Sequence, residues 1–411
     1  MLSQEVICRN LLGSRTMKKI FFLGIITTVV AVLGIGLTSS TASAGQVLQV
    51  GAGKPYKTPS AAAKVAKNGD VVEIDASTYW GDVAVWSQDN ITLRGVGGRA
   101  HLKARGKTAQ GKAIWVIKGN NITVENMEFS GARVADKNGA GIRFEGAGLT
   151  IRNSHFHHNE IGILVNGNLA SDILIEGSEF HHNTLANQHY SPPGHNIYVG
   201  KVRRFTLRNS YVHHASVGHN VKSYAQENYI LYNRIMDEEL GNSSYLLDLA
   251  EGGDAYVIGN VFQQSQYTDN YTMVSYAAEA NRNDASQYLY FVNNTLVNDA
   301  GKGTFVNNHS VAPATLLNNL WVGNGKILQG FGDELAGNII TQNAGFVNPA
   351  GYDYRLMQGS VAIDQGVEPG YAHNGFSLQP LFHYVHPLEV TTRPLENECD
   401  VGAYEFTFNR W

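Results

Sequence analysis

The sequence predicts an all-β fold, a parallel β-helix of about eight to ten coils. A five-residue stretch of alternating apolar and polar residues, ending in Asn, recurs along the chain at intervals of 24 to 34 residues. Such alternation is typical of short strands, and helical periodicity is absent from the repeats. A unit of this length cannot bury its own apolar face. Successive units must therefore stack, with each strand pairing in parallel with the next coil.

One position of the repeat is occupied by Asn in most units. Asn tolerates a left-handed backbone at a tight turn, and stacked copies can hydrogen-bond along the axis of the coils. We therefore expect the residues at this position to lie along one line. They are Asn126, Asn153, Gly177, Asn209, Asn233, Asn260, Asn294 and Asn319.

The composition excludes several classes of protein. The 411 residues include 31 basic and 35 acidic side chains, which give a formal net charge of −4. This balance argues against a nucleic-acid-binding tail or a basic membrane patch. Hydrophobic residues make up 43% and charged residues only 16%, so the chain can bury a large core beneath an uncharged polar surface and is not disordered.

Residues 1–44 are expected to form a leader rather than part of the fold. Lys18 and Lys19 precede an apolar run over 20–37, and the small residues 42–44 complete the pattern of a secretory signal. We expect the natural start at Met17, cleavage after Ala44 and a β-helix domain over 45–411. The protein is then exported, to the periplasm or the medium, with no membrane span after cleavage. The alternative is an uncleaved membrane anchor.

The ends of a stack of coils expose unpaired strand edges, which need caps. Residues 60–67 are rich in alanine and predict a short helix, with Ser60 as its N-cap and residues 68–69 as its stop. Beyond Asn343 the repeat is lost. We therefore expect an N-terminal helical cap and an irregular C-terminal closure over 352–411.

The most informative region for function lies between residues 194 and 251. The triplet Gly-His-Asn occurs at 194–196 and again at 218–220, and aligning the two copies places Tyr198 beside Lys222. Strand alternation then predicts which side chains share a face. The predicted outward column contains Glu145, Asn166, Tyr198, Lys222 and Asp248, joined on the same side by Asn196, Asn220 and Tyr224. The predicted apolar side contains His195, Ile197, Val199, His219 and Val221.

An acid, a phenol and an amine within a few coil rises form a constellation suited to proton transfer. The predicted catalytic residues are Lys222, Tyr198, His195 and His219. The predicted substrate-binding residues are Asn196, Asn220, Tyr224, Asp248, Arg143, Lys201, His189 and Tyr190, of which the last two lie in an insertion. The structural alternatives are a solvated lysine, buried histidines bonded to backbone carbonyls, and exposed tyrosines that stack on sugars.

Three pairs of histidines occupy equivalent positions in successive units, at 157–158, 181–182 and 213–214, and Asp237 and Glu238 follow in the next unit. Imidazoles leading into carboxylates are able to bind a transition metal. Metal sites need converging ligands, however, whereas a flat ladder of side chains diverges. We therefore interpret the pairs as a structural ladder and assign no metal site.

Residues 153–165, with the sequence NSHFHHNEIGILV, resemble the repeat of right-handed parallel β-helix proteins of the pectate-lyase-like superfamily. Residues 69–74 with 91–95, and residues 359–366 with 400–405, are similar to the opening and the ending of such proteins. The resemblance implies a single-stranded right-handed parallel β-helix over most of 47–406. For activity it is suggestive, since the superfamily includes lyases, hydrolases, epimerases and adhesins.

A finer resemblance is to β-helix polysaccharide lyases of the chondroitinase B and alginate lyase type. Lys222-Ser223, followed by Asn228 and Asn233, is similar to the segment that bears their catalytic lysine. In those enzymes the lysine removes the C5 proton of a uronic acid, an arginine in the next coil assists, and a calcium ion held by carboxylates neutralises the substrate acid. Here only the lysine matches. Asp248 stands where the arginine is expected, and Tyr198 and Asn196 replace the calcium-binding glutamates, so a Ca²⁺ requirement stays open.

The leading hypothesis is a secreted polysaccharide lyase that cleaves a uronate-containing polymer by β-elimination. Lys222 or a neighbouring histidine would be the base, and Tyr198 or Tyr224 the proton donor. The enolate would be stabilised by Arg143, Lys201, Asn196, Asn220 or a cation. The alternatives are a glycoside hydrolase with paired carboxylates among Asp237, Glu238, Asp248, Glu251 and Asp254, and a non-catalytic glycan-binding surface protein. The expected partner is an acidic polysaccharide rather than a nucleic acid, and the expected state is a monomer.

Cleavage after Ala44 makes a direct prediction about the exported protein. N-terminal sequencing of material from the periplasm or the medium should read Gly-Gln-Val-Leu-Gln, beginning at Gly45. A full-length chain that stays with the membrane fraction would support the uncleaved anchor instead.

Overall fold

The computed structural model describes residues 45–184, 194–280, 287–394 and 398–407. Within these residues a first strand, β1 (Val47–Val50), is followed by ten coils of three strands each. The coils are β2 (Val71–Asp75), β3 (Thr78–Trp80) and β4 (Ala84–Trp86); β5 (Thr92–Val96), β6 (Ala100–Lys103) and β7 (Ala113–Ile117); β8 (Ile122–Glu125), β9 (Met127–Ser130) and β10 (Ala140–Phe144); β11 (Leu149–Arg152), β12 (His155–His157) and β13 (Ile161–Val165); β14 (Asn168–Glu176), β15 (Glu179–His181) and β16 (Ile197–Val199); β17 (Val202–Arg208), β18 (Tyr211–His213) and β19 (His219–Ser223); β20 (Glu227–Leu231), β21 (Arg234–Met236) and β22 (Tyr245–Leu249); β23 (Gly253–Ile258), β24 (Val261–Gln264) and β25 (Thr272–Tyr276); β26 (Gln287–Val292), β27 (Thr295–Asn298) and β28 (Thr304–Asn308); β29 (Ala314–Leu317), β30 (Leu320–Gly323) and β31 (Lys326–Gln329).

The strands form three long parallel sheets. Sheet 1 contains β1, the first strand of every coil and β32 (Gly332–Ala336), whereas sheet 2 contains the second strands and β33 (Ile339–Thr341). Sheet 3 contains the third strands, from β4 to β31. The all-β, right-handed parallel β-helix predicted from the sequence is therefore confirmed. The number of complete coils lies at the upper limit of the prediction.

The core of the β-helix is filled by columns of inward side chains. Phe129, Phe156 and Phe180 come from three successive coils and stack with centroid distances of 5.0 and 4.7 Å along the column. Trp115 meets Phe129 edge to face at 5.0 Å. Aromatic pairs of this kind contribute about 0.5–1.5 kcal/mol beyond the burial of their apolar area.

The prediction that the recurrent asparagines lie along one line is wrong for the second half of the repeats. There the residue that aligns with Asn209 is the one just before the predicted asparagine. Strand pairing aligns Asn209 with Tyr232 and Gly259, because Arg208 pairs with Leu231 and Leu231 with Ile258. The aligned residues all have a positive φ, at the sharp turn between sheets 1 and 2. They are Asn126, Asn153, Gly177, Asn209, Tyr232, Gly259, Asn293 and Asn318.

Asn233, Asn260, Asn294 and Asn319 occupy the next position and form a buried ladder. Asn260 Oδ1 accepts from the backbone N–H of Asn233 at 2.9 Å, and Asn260 Nδ2 donates to the carbonyl of Ile230 at 2.8 Å. In earlier coils the same position holds serine, and Ser210 N donates to Asn233 Oδ1 at 3.0 Å. The ladder satisfies backbone groups at the turn that water cannot reach.

The N-terminal cap is a helix, α1 (Pro59–Ala63), as predicted, but it is shorter and begins earlier. Its N-cap is Thr58, whose side chain accepts from the backbone N–H of Ala61, and Ser60 lies inside the helix. Pro59 suits the first turn, because its missing N–H would have no partner there. Ala62 and Ala63 are buried against the first coil.

The C-terminal segment is largely irregular, as predicted, and contains two short hairpins. These are β34 (Phe346–Asn348) with β35 (Asp353–Leu356), and β36 (Phe382–Val385) with β37 (Glu389–Thr392). A turn of 3₁₀ helix spans Pro349–Gly351. Beyond closing the last coil, the segment returns along earlier coils: Leu381 N donates to Tyr232 Oη at 3.0 Å, and Ala403 N donates to Thr295 Oγ1 at 3.0 Å.

None of the helices in the described residues has the length and apolar character needed to cross a membrane.

The ladder should contribute measurably to stability. We expect Asn260→Ala to lower the free energy of unfolding by about 2–4 kcal/mol, since it leaves the buried Asn233 N–H and a backbone carbonyl without partners. The measurement is urea unfolding at equilibrium. The matched control is Asn307→Ala, at a half-buried strand position whose side chain points outward, where a change within about 0.5 kcal/mol is expected. Equal effects of both substitutions would contradict the role of the ladder.

Candidate functional site

The outer face of sheet 3 carries the predicted site. Tyr198 pairs with Lys222, and Lys222 pairs with Asp248, on the neighbouring strands β16, β19 and β22. Adjacent strands lie about 4.8 Å apart, so the three side chains follow one another along a row. The alignment of the two Gly-His-Asn triplets therefore agrees with the structure.

The earlier members of this row differ from the prediction. Leu164 pairs with Tyr198, and Arg143 pairs with Leu164, so Arg143 belongs to the row of Lys222. Glu145 and Asn166 lie two residues farther along their coils. A basic side chain thus replaces the predicted acid at the start of the row.

The prediction that Asn196 and Asn220 face outward with Lys222 is wrong, because both side chains are fully buried. Asn196 Nδ2 donates to Asn220 Oδ1 at 2.7 Å and to the carbonyl of His213 at 2.8 Å. Asn196 Oδ1 accepts from Asn183 Nδ2 at 2.9 Å. The chain bends here between sheets 2 and 3, so two consecutive residues face inward and the alternation of a straight strand does not apply.

The same bend reverses the predicted direction of His195 and His219. Their rings lie 4.9 Å apart, and His195 lies 5.7 Å from the ring of Tyr198, on the side of the sheet that carries Lys222. His219 Nε2 is 3.5 Å from Asp248 Oδ2. Both histidines are therefore part of the outer cluster and not of the apolar core.

The two histidines are held in their neutral form. His195 Nδ1 accepts the backbone N–H of His219 at 3.0 Å, which assigns its remaining proton to Nε2. Burial, aided by the positive charge of Lys222, lowers the pKa of His195 to about 3. Burial together with the charges of His195 and Lys222 also lowers the pKa of His219. At neutral pH His195 is thus a hydrogen-bond donor through Nε2 and not a base.

Lys222 lies between two carboxylates. Its Nζ is 3.0 Å from Asp248 Oδ2 and 2.7 Å from Glu279 Oε1. Burial acts to lower the pKa of Lys222, but Asp248 and Glu279 outweigh it, so the pKa is raised above its usual value. The ammonium form is favoured in the absence of substrate.

The two carboxylates differ in exposure and in pKa. The side chain of Asp248 is 4% exposed, and burial raises its pKa although Lys222 opposes the rise. The side chain of Glu279 is 50% exposed. Partial burial acts to raise its pKa, but hydrogen bonds from Lys222 and Tyr224 dominate and lower it. Asp248 is a buried anchor for Lys222, and Glu279 is a partner that substrate can reach.

A cleft of about 450 Å³ opens beside this cluster. Its lining includes Arg143, Tyr198, Lys201 and Tyr224. The rings of Tyr198 and Tyr224 lie 5.7 Å apart, and the Nε of Arg143 is 4.0 Å from Glu145 Oε1. Two cations and two phenols thus converge on one open volume.

Other predicted residues are placed elsewhere. Lys201 lines the cleft but pairs with Glu251 at 2.6 Å, so its charge is already compensated. Asp237 is fully buried near Asn220, Glu238 hydrogen-bonds Tyr211 beside sheet 2, and Asp254 lies 3.6 Å from His373. The carboxylates proposed for hydrolysis therefore do not gather around Asp248. His189 and Tyr190 lie outside the described residues.

Sequence reasoning missed Glu279 and Tyr245. Glu279 follows β25 in an alanine-rich stretch. The only sequence feature that pointed to a functional role there was the single charged residue itself. It reaches back two coils, and Tyr224 Oη donates to its Oε2 at 2.8 Å. Tyr245 follows the second Gly-His-Asn triplet by one coil, pairs with His219 and packs against its ring at 4.9 Å.

The surroundings of Lys222 do not fit the calcium site that the sequence resemblance implied. Calcium needs six to eight oxygen ligands, mostly carboxylates and carbonyls. Within the part of the chain that the structure describes, Asp248 and Glu279 are the carboxylates that pair with Lys222, and both are engaged by its ammonium. The preceding position of the row holds the phenol of Tyr198.

Comparisons with known proteins agree with the fold. A family model described as right handed beta helix region matches residues 83–262. No curated protein matches the chain. Among solved structures, pectate lyase Pel9A aligns with a TM-score of 0.60 and 14% identity, covering 89% of this chain and 97% of that one.

Two further structures are similar over a smaller part of this chain. An alginate lyase from Paenibacillus sp. str. FPU-7 aligns with a TM-score of 0.42 and 14% identity, covering 72% of this chain and 98% of that one. Pectin methylesterase PemA from Erwinia chrysanthemi aligns with a TM-score of 0.25 and 9% identity, covering 70% and 80%. The family model and the alignment with pectate lyase Pel9A confirm the predicted resemblance to pectate-lyase-like β-helix proteins at the level of the fold.

Proposed function

We propose that the protein cleaves a uronate-containing polysaccharide by β-elimination in the cleft beside Lys222. The observation that carries the proposal is that Lys222 Nζ lies 5.2 Å from the ring of Tyr224, which lines the cleft together with Arg143, Tyr198 and Lys201. The fold shared with pectate lyase Pel9A supports it. A long face built from stacked strands also suits a polymer, since equivalent residues repeat at every coil.

Each part of the elimination has a candidate group. A base takes the proton from C5, the electron pair of that C–H bond forms the C4–C5 double bond, and the C4–O bond breaks. Arg143 is placed to stabilise the charge that develops on the uronate carboxylate, because it lines the cleft and its contact with Glu145 is long, at 4.0 Å. Tyr198 or Tyr224 would give a proton to the leaving oxygen.

Lys222 is the proposed base, and its surroundings set a condition on that role. A base must be neutral, whereas Asp248 and Glu279 favour the ammonium form. The bound polymer would exclude water and compete with the exposed Glu279 for the cleft. Both effects help Lys222 to lose its proton, but the raised starting pKa implies an alkaline optimum.

The first test is substitution of Lys222. A screen of uronate polysaccharides identifies a substrate by the ultraviolet absorbance of the unsaturated product. On that substrate Lys222→Ala should lower turnover by about 100-fold or more, and Lys222→Arg should fail as well, because a guanidinium stays protonated. The matched control is Lys326→Ala, at an exposed position of sheet 3, and circular dichroism checks folding. Near-normal activity of Lys222→Ala would overturn the assignment.

The second test is the pH profile of Glu279→Gln. The charge of Glu279 raises the pKa of Lys222, so removing it lowers that pKa. A lysine base becomes active as the pH rises through its pKa, and the rising limb of activity should therefore move to lower pH in the variant. An unchanged limb would contradict a base whose proton is held by Glu279. Asp248→Asn should shift the limb in the same direction and keep substantial activity.

One observation favours glycoside hydrolysis as a second candidate. Asp248 and Glu279 both contact Lys222 Nζ, which places the two carboxylates within about 6 Å of each other, near the roughly 5–5.5 Å of retaining enzymes. Their pKa values are also shifted in opposite directions, as an acid and a nucleophile require. Hydrolysis would produce reducing ends without unsaturation, and Glu279→Gln would abolish it. Binding of the polymer without either product would favour the glycan-binding alternative.

We also propose that the protein acts outside the cytoplasm, as the leader pattern over residues 17–44 indicates. Under this proposal the polymer that the enzyme cleaves lies outside the cytoplasm, where an exported protein would reach it. The N-terminal sequence of the exported chain tests this part of the proposal.

A further inference from the structure

We infer that the outer face of sheet 2 binds one divalent transition-metal ion through His101, Glu128 and His157. The three residues lie on the adjacent strands β6, β9 and β12. The site is on a different sheet from the cleft beside Lys222. It is therefore independent of the proposed lyase activity.

Strand register brings the three ligands together. His101 pairs with Glu128, and Ser130 pairs with His157, so His157 lies diagonally from Glu128 on the next strand. Glu128 Oε1 is 3.2 Å from His101 Nδ1 and 3.0 Å from His157 Nε2. All three donor atoms lie within 4.8 Å of one another.

These separations fit a small divalent ion. For an ion bound at about 2.0–2.1 Å from each donor, the two separations between Glu128 Oε1 and the imidazole nitrogens, 3.2 and 3.0 Å, correspond to ligand–metal–ligand angles of about 90–105°. Two imidazoles and one carboxylate are ligands that Zn²⁺, Co²⁺ and related ions accept. Three protein ligands leave a fourth position for water or another small ligand.

Both imidazoles have their second nitrogen fixed by a neighbour. His101 Nε2 lies 2.7 Å from Ser130 Oγ, and His157 Nδ1 lies 2.7 Å from His158 Nδ1. Partners of this kind set the tautomer and the orientation of metal-binding histidines. The nitrogen that faces Glu128 is therefore the one left for a metal in each ring.

The backbone beneath the site is rigid, and the site is open to solvent. Leu102, Phe129 and Phe156 alternate with the ligands along the same strands and are fully buried in the core. The three ligand side chains are 17–24% exposed. Ligands built on packed strands lose little freedom on binding, and partial exposure gives an ion access.

The predicted structural ladder is present, and the metal site lies at its end. His157, His181 and His213 stack at 5.3 and 4.9 Å, and His158, His182 and His214 stack at 5.3 and 4.6 Å. Those rings are parallel and do not converge, as expected. The ligand atoms converge at His157 because Glu128, which is not part of the columns of histidines, contacts both His101 and His157.

A neighbouring triad of His155, Glu179 and His181 is less suited to an ion. His155 Nε2 and His181 Nε2 are hydrogen-bonded to each other at 2.7 Å, so an ion would have to break that contact. Glu179 also lies near His213, at 3.3 Å. Between His101 and His157 an ion would replace the 3.0 Å hydrogen bond between His157 Nε2 and Glu128 Oε1, but it would leave both imidazole–imidazole contacts of the ladder in place.

The test is metal binding by the full mature chain, without an affinity tag, after removal of metals with a chelator. Co²⁺ is titrated while its visible absorbance is recorded, the bound metal is counted, and Zn²⁺ is then added as a competitor. We expect one tightly bound Co²⁺ with an intense tetrahedral spectrum, displaced by Zn²⁺. Glu128→Gln and His157→Ala should each weaken binding by at least about 10–100-fold.

The matched control is His182→Ala, which removes an exposed histidine of the ladder that is not a ligand and should leave binding unchanged. Thermal unfolding of the metal-free variants checks folding. If a ligand variant is destabilised, Ser130→Ala provides a milder test, and it should weaken Co²⁺ without changing the unfolding midpoint. The inference is overturned if the wild-type chain binds no ion, or if His182→Ala weakens binding as much as His157→Ala, since that result would mean non-specific binding to a histidine-rich surface.

Discussion

The register of parallel strand pairing is the constraint on which the rest of this structure depends. A slip of one residue would move every side chain of a coil to the opposite face. The backbone hydrogen bonds alone permit several registers, but the buried ladders do not. Asn233 and Asn260 bind specific backbone groups of neighbouring coils, and each would lose its partners on a slip. A second ladder through Asn196 and Asn220 acts in the same way at the turn into sheet 3.

This register places two chemically different surfaces on one β-helix. On sheet 3, the row through Arg143, Tyr198 and Lys222 brings cations and phenols to a cleft. On sheet 2, the rows through His101 and His157 bring imidazoles and Glu128 together. The rows of both surfaces arise from the coil itself, which repeats the position of each column at about 4.8 Å, and Glu279 is added to the first surface from the turn after β25.

The two ion pairs of Lys222 determine the protonation state of this side chain on the surface of sheet 3. Lys222 is embedded with Asp248 below it and Glu279 at the solvent side. Without these carboxylates, burial would lower the pKa of Lys222 and increase the fraction of neutral amine, the form that accepts a proton. With them, the pKa of Lys222 is raised, and the lysine is held in place in its ammonium form. The neutral His195 and His219 add no competing charge to the cluster.

The sequence by itself determined the fold and the main candidate residue. Periodic alternation and recurrent Asn predict stacked coils, and the repeated Gly-His-Asn triplet places Lys222 beside Tyr198 and Asp248, because these signals are local and repeat along the chain. Only the tertiary structure decided the direction of side chains at the bends and the partners that come from distant coils. Asn196 faces inward and His195 outward because the chain turns between sheets, and no alternation rule describes a turn. Glu279 and Glu128 join their sites through register and through contacts between coils, which depend on how many residues each irregular coil contains.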